Sequence, residues 1–207
     1  MLIKLFRTLL TLSLAALPAL ASAQLVNFAQ FDVSRDARTL ALVRALPDGN
    51  PQTPDPLLTA GYTRWDTGSS SSAAYIHRWA LNSGPHNWAV GAGVGVNHYE
   101  SRNGAEERTG GSLRGQTELS GPLPGGTYFA LLQLSTFRSG AFGLLQYNVA
   151  NSPIGVDLSH YRETGVKQTT LAVRYALDAR KRWSLRTGVI ESQSEMQPFI
   201  GIAYNAF

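Results

Sequence analysis

After Ala23 the chain keeps almost no period of 3.6; side-chain character instead alternates with a period of two, broken by turn residues at close spacing. This pattern constrains the fold more than any motif does. Successive side chains of a strand point to opposite faces, so each segment presents two rows. Trp88, Val90, Ala92, Val94 and Val96 form one row; Ala89, Gly91, Gly93, Gly95 and Asn97 form the other. Leu113, Thr117 and Leu119 share a row with two glycines, opposite Ser112, Arg114, Gln116, Glu118 and Ser120. Leu171, Val173, Tyr175 and Leu177 alternate with Thr170, Ala172, Arg174 and Ala176, and Trp183, Leu185 and Val189 with Ser184, Arg186 and Gly188. No apolar run after Ala23 reaches the roughly 20 residues of a spanning helix.

Two all-β forms share this alternation. A soluble sandwich turns its apolar rows inward, whereas a transmembrane barrel turns them out to lipid and lines its interior with the polar rows. Periodicity alone leaves both open. Three observations favour the barrel. The weaker rows are Gly, Ala and Ser with sparse Arg, Glu and Gln; the whole chain has three lysines, and charged residues are 15%, below the usual quarter. Aromatic residues fall towards segment ends (Trp65, Trp79, Trp88, Tyr99, Tyr128, Tyr161, Trp183 and Tyr204), as interface girdles require. The third observation is the final residue.

Gln197 to Phe207 is an alternating segment ending on Phe207. It resembles the C-terminal signature of Gram-negative outer-membrane barrels, which the barrel-insertion machinery reads. The stronger apolar row (Ile200, Ile202, Tyr204) lies opposite Phe199, Ala203 and Phe207, and Asn205 interrupts the latter. The resemblance implies an outer-membrane address and, as partners, outer-membrane lipid and the assembly and export machinery.

The N-terminus reads as a secretory signal over residues 1–23. Lys4 and Arg7 precede an apolar Leu9 to Leu20, and Ala21 to Ala23 offer a small-residue cleavage site before Gln24. Cleavage takes the formal charge from +4 to +2. No polybasic block is left to support a nucleic-acid partner. Cysteine is absent, which removes disulfides, thiolate metal sites, a catalytic thiol and the lipid-attachment residue of a lipoprotein.

Residues 24–207 are expected to form one closed antiparallel up-and-down barrel. Segments parse near 24–33, 37–46, 57–66, 73–82, 87–99, 108–120, 126–138, 141–149, 154–163, 167–177, 182–192 and 197–207. Twelve is even, and lengths near ten suit tilted spans. With both termini periplasmic, Gly68–Ser72, Glu100–Glu107 and Gln193–Glu195 fall at the outer side. Asn82–His86, Gly121–Gly125, Asn151–Pro153 and Asp178–Lys181 fall at the periplasmic side. The proline-rich stretch 47–56 is a loop. Should it be a linker instead, ten strands follow from Leu57; alternation in Arg38 to Leu46 favours twelve.

No motif carries a reaction. Gly91 to Val96 lacks the third glycine and the helix of a dinucleotide loop. Ser159, His160 and Glu163 evoke a serine hydrolase, but adjacent strand residues diverge, so Ser159 and His160 point apart. His98 and Glu100 share a face beside Arg102 and read as a solvated rim pair; His77 with Tyr75 and Trp79 reads as interfacial. No cofactor or metal is implied. The informative residues are the charges expected inside: Arg78, Arg114, Glu118, Asp157, Arg174 and Arg186. Interlocked as ion pairs, they would plug a scaffold or anchor; in a wet bore, their arginines would favour anions. The leading expectation is a non-enzymatic structural, envelope-assembly or export-accessory barrel, with an envelope complex as partner. The alternative is a narrow pore for anionic solutes or exopolysaccharide, and the second alternative a lipid-modifying enzyme at the outer rim.

Overall fold

The computed structural model describes residues 26–47, 49, 53–81, 84–192 and 195–207. The expected signal segment, with Ala21, Ala23 and Gln24, lies outside them. The strands are β1 (Phe28–Ser34), β2 (Arg38–Ala45), β3 (Leu57–Trp65), β4 (Gly68–Ala80), β5 (Asn87–Ser101), β6 (Glu107–Leu123), β7 (Gly126–Ser135), β8 (Gly140–Val149), β9 (Ile154–Glu163), β10 (Val166–Ala176), β11 (Trp183–Ser192) and β12 (Glu195–Asn205). Each pairs antiparallel with its sequence neighbours, and β1 closes on β12, from Phe28 opposite Asn205 to Ser34 opposite Phe199. β1 and β2 are therefore part of the wall, and the ten-strand alternative falls. Closure satisfies every edge, the condition for sheet in a bilayer.

The rows face as expected for a membrane barrel. Val94, Val96, Leu113, Leu158, Leu171, Val173 and Tyr175 point outward and are exposed, while Asp32, Asp157, Arg186 and Gln116 point inward. A closed barrel with an apolar exterior and a polar interior is the form in which proteins cross the outer membrane. In β12 the outward row is Ile200, Ile202 and Tyr204, with Phe199 and Ala203 in the lumen; Phe207 lies past the strand, 66% exposed.

Several local expectations are corrected. Gly68–Ser72 belongs to β4, so the turn shrinks to Asp66–Thr67. β6 runs to Leu123, leaving Pro124–Gly125 as the turn. β7 stops at Ser135, and Phe137–Ser139 forms a single 3-10 turn folded into the bore. Trp65, Tyr99 and Tyr161 do not belong to a girdle, because they point inward. Parity decides this: each sits an even number of residues from an inward neighbour (Thr63, Asn97, Ser159).

We call the end where β1 begins and β12 ends the near end. Its connections include 46–56, the proline-rich loop, closed by the Leu46 amide donating to Pro56 O at 2.8 Å. At the far end the connections are short, as in 66–67 and 164–165.

Candidate pore lumen

All six predicted charges face the lumen, and the fold sorts them onto two walls. Along β9 to β12 and β1 the wall is dense. Arg186 lies between Asp32, to which it donates through Nη1, and Asp157 Oδ2, 3.4 Å from Nη2. All three side chains are 3–4% exposed. Arg174 Nε donates to Asp157 Oδ1 at 2.6 Å and its Nη2 to Asn148 Oδ1 at 2.8 Å. Gln30 Nε2 donates to Asp32 Oδ2 at 2.8 Å. Small residues make this possible: Ala172 is fully buried, and Gly188 and Gly201 let side chains and backbone close in. Water scarcely reaches these ions, so each charge depends on its partners.

Along β4 to β8 the wall is looser: Ile76, Asn97, Ser112 and Gln116 are buried, but the inward rows of β7 and β8 stay partly exposed. Arg78 Nη1 donates to Glu118 Oε2 at 3.0 Å, and Arg78 Nε to Asp55 O at 2.7 Å, which ties the proline-rich loop to the near mouth. Gln116 Nε2 donates to Glu118, and Gln133 Nε2 to Gln116 Oε1 at 3.1 Å. Arg114 differs from the other five charges. Its Nη2 donates to Asn97 Oδ1 at 2.7 Å and its Nη1 to Gln133 Oε1 at 3.3 Å, both neutral amides; its Nε has no partner and it makes no ion pair among the described residues. Gly95 gives it room, since a Cβ there would stand 3.1 Å from that Nε. Beside it, Phe129, Leu131, Gln133, Phe142, Leu144 and Gln146 face inward and all stay partly exposed. These side chains are not packed out of contact with solvent, as those of a dense core are.

The far mouth is narrowed by a group that the sequence reading missed. Trp65, Tyr99, Phe137 and Val166 form one buried cluster with Tyr161 against it, so side chains from β3, β5, β9 and β10 meet across the bore. Arg138 anchors the turn. Its guanidinium sits 3.7 Å from the Tyr99 ring centroid, its Nε 3.4 Å from Glu163 Oε1, and it also engages Glu106 and Thr164 O. Arg138 and Ser139 have φ of 49° and 50°, a left-handed backbone that costs about 1–3 kcal/mol each at non-glycine residues and persists when contacts impose it. The one sequence signal was the lapse of alternation at Phe137–Gly140. Asp32 was legible from the Gln30, Asp32, Ser34 row.

The other candidates stay apart. Ser159 faces inward and His160 outward, where it bonds Thr169 Oγ1 at 3.0 Å; His98 likewise bonds Thr109 Oγ1 at 2.9 Å. His77 packs edge-on to Trp79 at 4.7 Å. No group of three or more His, Cys, Asp or Glu suited to a metal occurs among the described residues.

A closed antiparallel barrel of twelve strands with an apolar exterior and a charged bore has the architecture of an outer-membrane β-barrel. Solved structures with the same architecture include the KdgM porin, 12% identical with a TM-score of 0.50, covering 86% of this chain and 97% of its own. The same porin solved in complex with disordered oligogalacturonate is 10% identical at a TM-score of 0.50, with coverage of 86% and 97%. Omp33 of Acinetobacter baumannii is 8% identical at 0.48, covering 87% and 98%. No protein-family model matches the chain, and no curated protein is similar to it in sequence. At such identities the likeness is one of fold: the chain is an outer-membrane β-barrel.

Proposed function

We propose that the barrel is a narrow channel favouring anionic solutes, acidic oligosaccharides among them, with its far mouth constricted by the Phe137–Arg138 turn. The observation that carries this reading is Arg114, a lumen cation held by neutral amides on a wall that water reaches. An anion passing there gains a charge-assisted hydrogen bond without first displacing a carboxylate. The half-exposed Phe129, Leu131, Leu144 and Phe142 offer apolar surface to the faces of sugar rings. A porin of like fold has been solved with an acidic oligosaccharide, which is consistent with the substrate class.

The test is conductance of the purified protein in planar bilayers under a salt gradient, with the reversal potential giving the anion-to-cation ratio. Small anion-selective steps are expected, reduced in selectivity by Arg114→Met and blocked by oligogalacturonate. Cation-selective steps, or selectivity indifferent to Arg114, would remove the reading.

A second reading, a closed scaffold in the envelope, is favoured by the cluster that crosses the bore. It predicts silence in bilayers both for the native protein and after the turn is emptied by Phe137→Ala with Arg138→Ala.

A further inference from the structure

Outside the barrel the apolar belt finishes differently at its two ends. At the near end it closes in aromatic side chains: Trp79, Trp88 and Tyr175 are exposed, and the Trp183 ring packs tilted against Tyr204 with centroids 4.9 Å apart. At the far end Tyr62 is followed by cations. Leu40 lies opposite Tyr62 on the outer face of β2 and β3, and the next outward pair is Arg38 opposite Arg64. On β9 and β10, Leu158 opposite Leu171 is followed by His160 opposite Thr169, then Arg162 opposite Lys167. All four cations are exposed, and none makes an ion pair or side-chain hydrogen bond among the described residues.

Directly opposed side chains stand about 4.5–5.5 Å apart at Cβ, and like charges there repel. Two such pairs at the far end of the barrel therefore call for something between them. The nearby carboxylates do not supply it. Asp36 is held by Arg35 at 2.6 Å and by Gln197, and Glu100 lies beyond Ser69, itself facing Glu107. Glu191 lies opposite Thr169, a step towards the belt from Lys167. Arg38, Arg64, Arg35 and Arg102 border a cleft of about 480 Å³ with Asp36, Asp66 and Glu100, so that its cations outnumber its carboxylates by one.

We propose that these pairs are two binding sites for phosphomonoester headgroups of the lipid in the far leaflet. A phosphomonoester carries about −1.5 to −2 at neutral pH with three acceptor oxygens, enough to neutralise two opposed cations, where a phosphodiester carries one charge. The guanidinium forks of Arg38 and Arg64 suit phosphate geometry, and Lys167 adds a point charge beside Arg162. Their level, one or two outward pairs past the last apolar residues, is that of headgroups, with acyl chains along Leu40, Tyr62, Leu158 and Leu171. The cations anchor the far end as aromatics anchor the near one.

Native mass spectrometry of the full chain in nonionic detergent tests this, with four probes: bisphosphorylated lipid A, the same lipid dephosphorylated, phosphatidylglycerol and inorganic phosphate. The native protein should retain bisphosphorylated lipid A roughly tenfold better than the dephosphorylated form, as expected when charged hydrogen bonds are lost. Arg38→Gln with Arg64→Gln, and Arg162→Gln with Lys167→Gln, should each lower its retention, and the fourfold variant should abolish the preference. Equal retention of phosphorylated and dephosphorylated lipid, equal retention of phosphatidylglycerol, or a fourfold variant that binds like the native chain would each overturn the proposal. Inorganic phosphate competing as well as the lipid would do the same, marking a general anion site. Unheated gel mobility reports whether each variant keeps its barrel; where one does not, the comparison of lipids on the native protein decides.

Discussion

The two walls of the lumen are built from the same residue types and behave oppositely. On β9 to β12 and β1, two arginines and two aspartates interlock, with Arg186, Asp32 and Asp157 almost wholly buried; on β4 to β8, Arg78 and Glu118 form a single pair while Arg114 has no carboxylate. The difference lies in the company each charge keeps. Asp32 and Asp157 stand beside Arg186 with Ala172 and Gly201 next to them, whereas Phe129, Leu131, Phe142 and Leu144 on the other wall bring no carboxylate to Arg114. One wall ties the cylinder together through ion pairs, and the other leaves Arg114 without one, the feature on which the proposed channel rests.

Breaking that division should cost most at Arg186. Arg186→Met leaves Asp32 without a cation and Asp157 with Arg174 alone, and should destabilise the barrel by about 3–5 kcal/mol, read as a lowered urea midpoint in detergent. Arg114→Met, the same change on the other wall, removes a donor from buried Asn97 and should move the midpoint by about 1–2 kcal/mol, less than Arg186→Met, while altering selectivity. Equal midpoint shifts would erase the distinction between the walls. Next in size is overpacking. Ala172→Leu on the dense wall should cost about 1–3 kcal/mol, while Leu144→Met on the looser wall should be close to neutral. At the far mouth, Phe137→Ala should raise single-channel conductance several-fold with the walls intact; unchanged conductance would mean the constriction lies elsewhere. The smallest effect concerns Asp178 in the turn before β11. The Trp183 amide donates to its Oδ1 at 2.7 Å and holds its carboxyl below the usual range. Its contribution is therefore present above the ordinary aspartate pKa near 3.9 and fades as pH falls through the lowered value. Asp178→Asn should flatten that acid limb of a stability profile slightly.

Much of this was legible from alternation. Rows such as Trp88 to Val96 fix which residues face lipid once the barrel closes, because a period of two leaves no third option. The six lumen charges follow from the same parity. Their sorting did not, since a partner such as Asp32 for Arg186 lies 154 positions away and is set by closure of the sheet. Trp65, Tyr99 and Tyr161 were misread because an aromatic at a strand end satisfies the expectation of a girdle whichever way it points. Arg138 was invisible for another reason: its turn abandons the period on which the reading depends.

The seam between β1 and β12 dictates the order of events during folding. Ser34 Oγ meets Gln197 across 163 residues of chain, and no local contact can stand in for it. Contacts of such separation form slowly. Until they do, a half-finished cylinder shows two bare edges, each able to recruit a strand from another molecule. Such a chain stays open to pairing with its neighbours until the last strand docks.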